Sequence, residues 1–329
     1  MHKELLENIG EKELIKRLAE FMPKNQSSDD CAFVTTKNKE ILVNTDSLVE
    51  NVHFNNNTIT ALEIGWKAVA SNVSDLLSSG CSKVLGVNIG LVVPANTDWL
   101  WIKDLYTGIN QALEHFGGLI LGGDCSLGKE KVISITAIGI QGKIKLRRNS
   151  CRPKEIILTT GIHGLSKLGF MIRSKKAFNN NISLTQSLIN RSIQQFCKPK
   201  LKPNFLKKLL NSRPHKRNKI IGCTDSSDGL FQALLDLSIE SNCKAIIDYT
   251  KIPRHKNWPK GNQWDEYYFF GGEDYELVFS LPRKWANNLL STDNTISEIG
   301  YFLEGEASVE FTNCNDKKFL NKNSSFSHF

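Results

Sequence analysis

KIIGCTDSSDGLFQALLDLSIESN, residues 219–242, runs from an apolar stretch into a carboxylate at Asp225, a second at Asp228, a glycine, and then a helical apolar pattern. KIIGCTD reads as a strand and FQALLDLSIESN as a helix, with the acidic pair and Gly229 in the turn between them. A strand feeding a helix this way predicts a chain of mixed α and β type. Asp225 and Asp228 then have two readings: capping the helix, or holding something charged.

The same grammar recurs along the 329 residues. CAFVTT (31–36) and KEILVNTD (39–46) read as strands, ALEIGWKAVASNVSDLLSSG (61–80) as a helix stopped at Gly80, and SKVLGVNIGLVV (82–93) as a long buried strand. TDWLWIKDLYTGINQALEHFG (97–117) predicts a second amphipathic helix, capped by Thr97 or Asp98 and ended by Gly117, and GLILGGD (118–124) and VISITAIGIQG (132–142) add strands. GKIKLRRNSCRPKE (142–155) breaks the periodicity with six basic residues and a proline, so the boundary is expected there: residues 1–148 as one domain and 149–329 as another. EIILTT, KAIIDYT and YELVFSLP predict further strands, GIHGLSKLG a glycine-bearing loop before a helix, and the basic 175–219 stretch helices joined by loops. No fixed-period repeat marks a solenoid.

Composition bounds the class. Hydrophobic residues make up 40% and charged residues 23%, as in ordinary soluble globular proteins, and no apolar run approaches membrane-spanning length or a signal-peptide core. A cytoplasmic protein is expected, with no membrane partner and with its eight cysteines as reduced thiols. The net charge of +8 is concentrated in residues 198–219, with nine Lys or Arg and no acid. No recognition helix, zinc motif or aromatic-interleaved sheet accompanies it, so nucleic acid is not the expected partner.

Asp46, Asp124 and Asp225 each end a hydrophobic strand, where side chains emerge at a sheet edge. Asp29, Asp30, Asp75 and Asp228 bring the set to seven. Any one also fits a turn or a cap. Clustered carboxylates repel unless neutralised, and oxygen-only ligands suit Mg²⁺ completed by substrate phosphates. No Cys or His cluster suits zinc. GDCSLGKE (123–130) matches GxxxxGK, but Glu130 stands where Ser or Thr should hold the metal and a strand follows, so a P-loop is not expected.

Read together, DDCA (29–32), TDSLVENVHF (45–54), GWKAVASNVSDLLSSG (65–80), GGDCS (122–126), DSSDGL (225–230) and GGEDYEL (271–277) resemble the thiamine-monophosphate kinase family, in the family order. That family belongs to the superfamily of aminoimidazole ribonucleotide synthetase. The resemblance implies an α/β fold of two mixed-sheet domains, the first binding metal and nucleotide and pairing through its sheet in a homodimer. It implies ATP-dependent, in-line phosphorylation of thiamine monophosphate to thiamine diphosphate with several Mg²⁺ ions, K⁺ as a further ion, and no general base. It implies metal ligation by Asp30, Thr45, Asp46, Asp75, Asp124, Asp225 and Asp228, nucleotide contacts from Tyr106, Gly123, Arg148 and Ser227, and acceptor contacts from His53, Glu273 and Phe326. Phosphoryl transfer depends on placement and charge neutralisation, which Asp-held Mg²⁺ and an arginine fork supply.

Each assignment has a plainer counterpart: a structural His53, a core Tyr106, Arg147 or Arg152 in the place of Arg148, an idle Phe326 near the terminus. The chain also departs from the family pattern at Ser28, Asn44, Leu165 and Lys198, and at Lys154 with Glu155. Another ATP-dependent enzyme of the superfamily, or a nucleotide-binding relic without turnover, are the alternatives. Retention of the aspartates argues against the relic.

Overall fold

The computed structural model describes residues 29–35, 39–175, 184–214 and 220–314, together with residue 13. The first half contains β1 (Ala32–Thr35), β2 (Glu40–Val49), α1 (Ala61–Ser78), β3 (Cys81–Val93), α2 (Trp99–Phe116), β4 (Leu119–Leu127) and β5 (Val132–Gln141). The strands form one sheet in the order β1-β2-β5-β3-β4, antiparallel except for β3 and β4, which run parallel across the α2 crossover. β2 alternates, with Leu42, Asn44 and Leu48 buried toward the helices and Thr45 and Ser47 exposed on the other face.

α1 starts on a capping box: Glu63 N–H donates to Thr60 Oγ1 at 3.3 Å and Thr60 N–H to Glu63 Oε2 at 2.9 Å. Asp98 caps α2, accepting from Leu100 N–H at 2.9 Å. The two helices touch through glycines. A Cβ on Gly65 would lie 2.1 Å from Leu105 O, and one on Gly108 1.9 Å from Leu62 O, so only hydrogen atoms fit between the backbones. Their apolar stripes, with Ile64, Ala68, Leu105 and Ile109, close the first core over the sheet.

The second half contains β6 (Lys145–Arg147), β7 (Ile156–Thr160), α3 (Leu165–Arg173), α4 (Gln186–Cys197), α5 (Phe205–Ser212), β8 (Ile220–Asp225), α6 (Leu230–Ser241) and β9 (Lys244–Asp248). It continues with α7 (Asn262–Phe270), β10 (Leu277–Leu281), α8 (Arg283–Leu290), β11 (Ile296–Leu303) and β12 (Ser308–Thr312). Its sheet runs β12-β9-β11-β7-β10-β8-β6. β7 and β10 are buried along their whole length, because α6 and α7 cover one face and α5 and α8 the other. β6 pairs in parallel with β8, so residues 145–147 belong to the second sheet although they precede the expected boundary at 148.

The two halves share packing. Phe196, Cys197, Leu201 and Tyr275 complete the first core, and Trp66 Nε1 donates to Pro199 O at 3.0 Å. Within the described part of the basic run, three lysines reach partners on neighbouring elements, while Lys200 and Lys207 are exposed. Lys198 donates to Gln111 Oε1 at 3.2 Å, Lys202 sits 3.3 Å from Glu276, and Lys208 sits 2.7 Å from Asp293. GDCSL of the P-loop look-alike lies in the edge strand β4, extended and exposed, with no phosphate-cradling turn. All eight cysteines are free thiols. No helix among the described residues is long and apolar enough to cross a membrane.

Candidate active site

The site grows out of α1. Ser71, Ser74, Asp75 and Ser78 recur at spacings of three and four, so one polar stripe runs along an otherwise apolar helix. Each member meets an acid or is one. Ser74 Oγ donates to Asp225 Oδ2, Ser78 Oγ donates to Asp30 Oδ2 at 2.7 Å, and the Ser71 hydroxyl, which donates to Ala68 O at 3.2 Å, lies beside the Asp46 carboxyl and eases its ionisation. Asn72, beside the stripe, accepts from Asp46 N–H at 3.1 Å and from Asn44 Nδ2 at 3.1 Å. The result is a group of carboxylates from Asp30, Asp75 and Asp225 within 4.8 Å of one another, with Asp46 within electrostatic reach of Asp30 and Asp75.

One guanidinium faces them. Arg148, in the 3-10 turn after β6, ion-pairs with Asp30, donates from Nε to Thr224 Oγ1 at 3.1 Å, and lies 3.9 Å from Asp236. Burial opposes its charge, but Asp30, Asp236 and Asp225 outweigh it and hold the group above its ordinary range. Of the three candidate arginines, Arg148 reaches the acids. Arg147 instead stacks on Phe33 at 3.4 Å and lies 3.6 Å from Asp29, while Arg152 N–H caps onto Glu155 at 3.1 Å.

One guanidinium does not neutralise four carboxylates. Burial, then Asp30, pushes Asp225 up to about 7 from 3.8. Burial, then Asp46, Asp225 and Asp30, pushes Asp75 well above its ordinary value, and burial with Asp30 raises Asp46. Asn44 donates from Nδ2 to Asp75 at 2.8 Å, while its buried Oδ1 has no hydrogen-bond partner. Crowded carboxylates and an orphaned amide oxygen form an all-oxygen donor set, which fits hard divalent cations such as Mg²⁺.

β8 delivers Asp225 to this point because its last residue emerges where the strand leaves the sheet. Ser227 folds back, donating from Oγ to Asp225 Oδ1 at 3.0 Å. Asp228 is exposed, and the N-cap of α6 is Gly229, at φ 97° and pressed against Phe269 O, so the helix begins later than the aspartate pair suggests. Glu273 docks beside Ser227 with its N–H donating to Ser227 O at 2.7 Å, and its carboxylate meets Lys67 Nζ at 2.7 Å. The Tyr275 hydroxyl lies within electrostatic reach of Glu273, Asp46, Asp225 and Asp75, so these acids surround one region.

Other expected site residues stand elsewhere. The alternation of β2 turns Thr45 to the open face of the sheet, its hydroxyl 2.8 Å from Thr136 Oγ1, while Asn44 and Asp46 face α1. The pairing Ser47–Ser134–Gly90–Asp124 puts Asp124 on that same open face, where Ser126 Oγ donates to it at 3.0 Å. Asp124 is also three strands from β2, about 14 Å across the sheet. Gly123 lies alongside, where a Cβ would stand 2.0 Å from Ile89 O, and Tyr106 reaches Cys125 of the same strand from α2, half-buried on the first core. His53 follows the end of β2 and accepts from Val49 N–H at 3.0 Å through Nδ1. Phe326 and Ser28 lie outside the described residues.

The departures are accommodated locally. Leu165 is buried at the first position of α3, and the amides of that helix start donate to Asp274, from Gly164 at 2.5 Å and Ser166 at 2.8 Å. Lys154 takes a left-handed conformation, φ 71°, that glycine would adopt without penalty. Beside it Glu155 accepts from Ser280 Oγ at 2.6 Å. Sequence reading did not single out Lys67, Thr224 or the three serines of α1. For Lys67 and the serines, helical spacing with Asp75 is the available signal; Thr224, on β8, has none beyond its place next to Asp225.

Comparison with known proteins gives the family. Residues 28–141 match the AIR synthase related protein, N-terminal domain family. The chain is 41% identical over 311 residues to a thiamine-monophosphate kinase of Prochlorococcus marinus, covering 94% of this chain and 93% of the relative. It is 28% identical to that of Synechococcus elongatus over 98% of each chain. The solved structure of AaThiL complexed with AMPPCP and TMP aligns with a TM-score of 0.82 and 25% identity over 100% of both chains. Thiamine monophosphate kinase from Aquifex aeolicus aligns with a TM-score of 0.76 and 24% identity, covering 94% of this chain and 98% of that one. The motif order, the two mixed sheets and the acidic cluster are thus found in a chain that belongs to the thiamine-monophosphate kinase family, within the AIR synthase-like superfamily.

Proposed function

We propose that this kinase transfers the γ-phosphoryl group of ATP to the phosphate of thiamine monophosphate, giving thiamine diphosphate and ADP in the cytoplasm. The observation that carries the reading is the meeting of Asp30, Asp75 and Asp225 within 4.8 Å, opposite Arg148, where the two halves of the chain join. Asp30, Asp46, Asp75 and Asp225 would hold Mg²⁺, with Asp228 beside them and Asn44 Oδ1 as a further oxygen. Bound Mg²⁺ would supply neutralisation and alignment of the ATP triphosphate and the acceptor's phosphate, which otherwise repel.

The chain's own groups do the rest. Arg148, fixed by Asp30 and Thr224, presents a planar donor fork to a phosphate, and Ser227 with Gly229 brings backbone close to it at the start of α6. A P–O bond forms from an acceptor phosphate oxygen as the β–γ bridging bond breaks, in line. That oxygen is already anionic near neutral pH, so no residue is assigned as general base. Tyr106 and Gly123 are assigned to the nucleotide, and His53, Glu273 and Phe326 to the acceptor. Purified protein with ATP, Mg²⁺ and thiamine monophosphate is expected to yield thiamine diphosphate and ADP, with K⁺ tested as a further activator. Absence of product across Mg²⁺ and K⁺ concentrations would overturn the assignment.

We also infer a homodimer through the open face and edge of the first sheet. Leu119, Leu121 and Leu127 of the edge strand β4 are 70%, 51% and 78% exposed, apolar side chains along the sheet edge that a second copy would cover. Thr45 and Asp124 lie on that open face, so any part they take in binding metal depends on what packs there. Leu127→Glu is expected to shift the protein toward monomer in sedimentation velocity and to lower turnover. A dimer that survives this charge would place the interface elsewhere.

A further inference from the structure

Lys67 is among the largest fully buried side chains of the protein, with 2% of its side chain exposed. It stands four residues before Ser71 and eight before Asp75, so it extends the polar stripe of α1 by one more turn. Its ammonium lies 2.7 Å from Glu273 Oε1 and 4.4 Å from the centre of the Phe196 ring on α4. Burying an ammonium is costly, and a methionine of similar volume would fill the same space against Phe196 without that cost. Packing therefore gives no reason for a lysine here. Glu273 gives one.

Glu273 is held at φ 66°, its N–H fixed on Ser227 O at 2.7 Å, and the preceding Gly272 is pressed so close that a Cβ would meet Ser227 O at 2.3 Å. The loop is thus clamped to the residue that folds onto Asp225. The Glu273 carboxylate, 34% exposed, is fixed on one side by Lys67 and open to solvent elsewhere.

We propose that Lys67 is a positioning residue for the acceptor: its buried ammonium fixes the Glu273 carboxylate beside Ser227, where that carboxylate meets the cationic thiazolium-bearing substrate. The assignment rests on the function proposed above and adds to it a residue that touches no reacting atom. It separates specificity for the acceptor from the handling of ATP.

The test compares wild type, Lys67→Met, Lys67→Arg and the double variant Lys67→Met/Glu273→Gln, reading KM for each substrate, kcat and the melting temperature. Lys67→Met is expected to raise KM for thiamine monophosphate by roughly tenfold or more, with KM for ATP unchanged. Lys67→Arg should restore most of the loss. The double variant, which strands no buried charge, should fold and show the same acceptor defect without adding to it. A double variant with wild-type KM for thiamine monophosphate overturns the proposal. So does a Lys67→Met protein whose only change is a lower melting temperature, or whose two KM values rise together. If wild type itself makes no thiamine diphosphate, the assigned reaction fails first, and that result is distinguishable from a failure of Lys67 alone.

Discussion

Asp225→Asn is expected to lower turnover by about a hundredfold to a thousandfold while leaving a folded protein, because the change removes a charge from the metal site and almost no volume. Asp225 is the point where three constraints meet. It is the last residue of β8, it accepts from Ser74 on α1 and from Ser227 in its own turn, and it shares the carboxylate cluster with Asp30 and Asp75. Ser74 donates to Oδ2 and Ser227 to Oδ1, so an amide keeps an acceptor for one hydroxyl and offers its NH2 to the oxygen of the other, but it cannot supply the second anionic oxygen that binds a divalent ion. The folded protein should not suffer in proportion. In the absence of metal the wild-type carboxyl, pushed up to about 7 by burial and Asp30, is already close to half-protonated at neutral pH, so the amide resembles a state the fold accommodates. Steady-state assays paired with thermal melts decide the matter. The melting temperature in chelator should match or exceed that of wild type, and added Mg²⁺ should raise it less. Wild-type turnover in this variant would remove Asp225 from the metal site, and a protein that fails to fold would show that its carboxylate is structural.

The route to that site was partly legible in the sequence. Acids that end apolar runs declare themselves, and Asp225 ends β8 as its run predicts, whereas β2 continues past Asp46 to Val49 and β4 past Asp124 to Leu127. Strand ends do not say which face a side chain takes. Thr45 and Asp46 are neighbours, yet the pleat sends one to the open face and the other to α1, and Asp124 follows Thr45 because register carries the alternation across β5 and β3. Hydroxyls that hold carboxylates leave no charge signature, which is why Ser74, Ser78 and Thr224 became visible only with the packing of α1 against β8. Short elements were the other loss. α8 has eight residues directly after Pro282, and β12 only five, with mixed burial, so neither offers enough periods for a pattern to stand out. The interior cost of charge was equally hidden: Asp274 and Glu276 are fully buried within GGEDYEL, one taking the α3 amides and the other accepting from Thr160 Oγ1 at 2.5 Å.

Metal-free protein is expected to lose stability as pH rises from about 4 through about 7, and Mg²⁺ is expected to reverse part of that loss. Burial, then Asp30, raises Asp29 to about 7, burial with Asp30 does the same to Asp225, and Asp75 is held well above its ordinary value. In each case the folded pKa exceeds the unfolded one of 3.8, so through this window the folded chain keeps protons that the unfolded chain has released. The contribution is fully present below the unfolded pKa and disappears as pH climbs through the folded values, at about 1.4 kcal/mol per pH unit for each proton held. Mg²⁺ has the opposite sign. It binds the deprotonated carboxylates, so the stabilisation it confers grows over the same range. Thermal melts in chelator and in millimolar Mg²⁺ should therefore diverge with increasing pH, and in Asp225→Asn both the slope in chelator and the divergence should shrink. Parallel curves would mean that the cation does not bind at these carboxylates. A rise in chelator-treated stability toward pH 8 would mean that Arg148 already holds the cluster ionised, leaving no uncompensated charge to attract a metal.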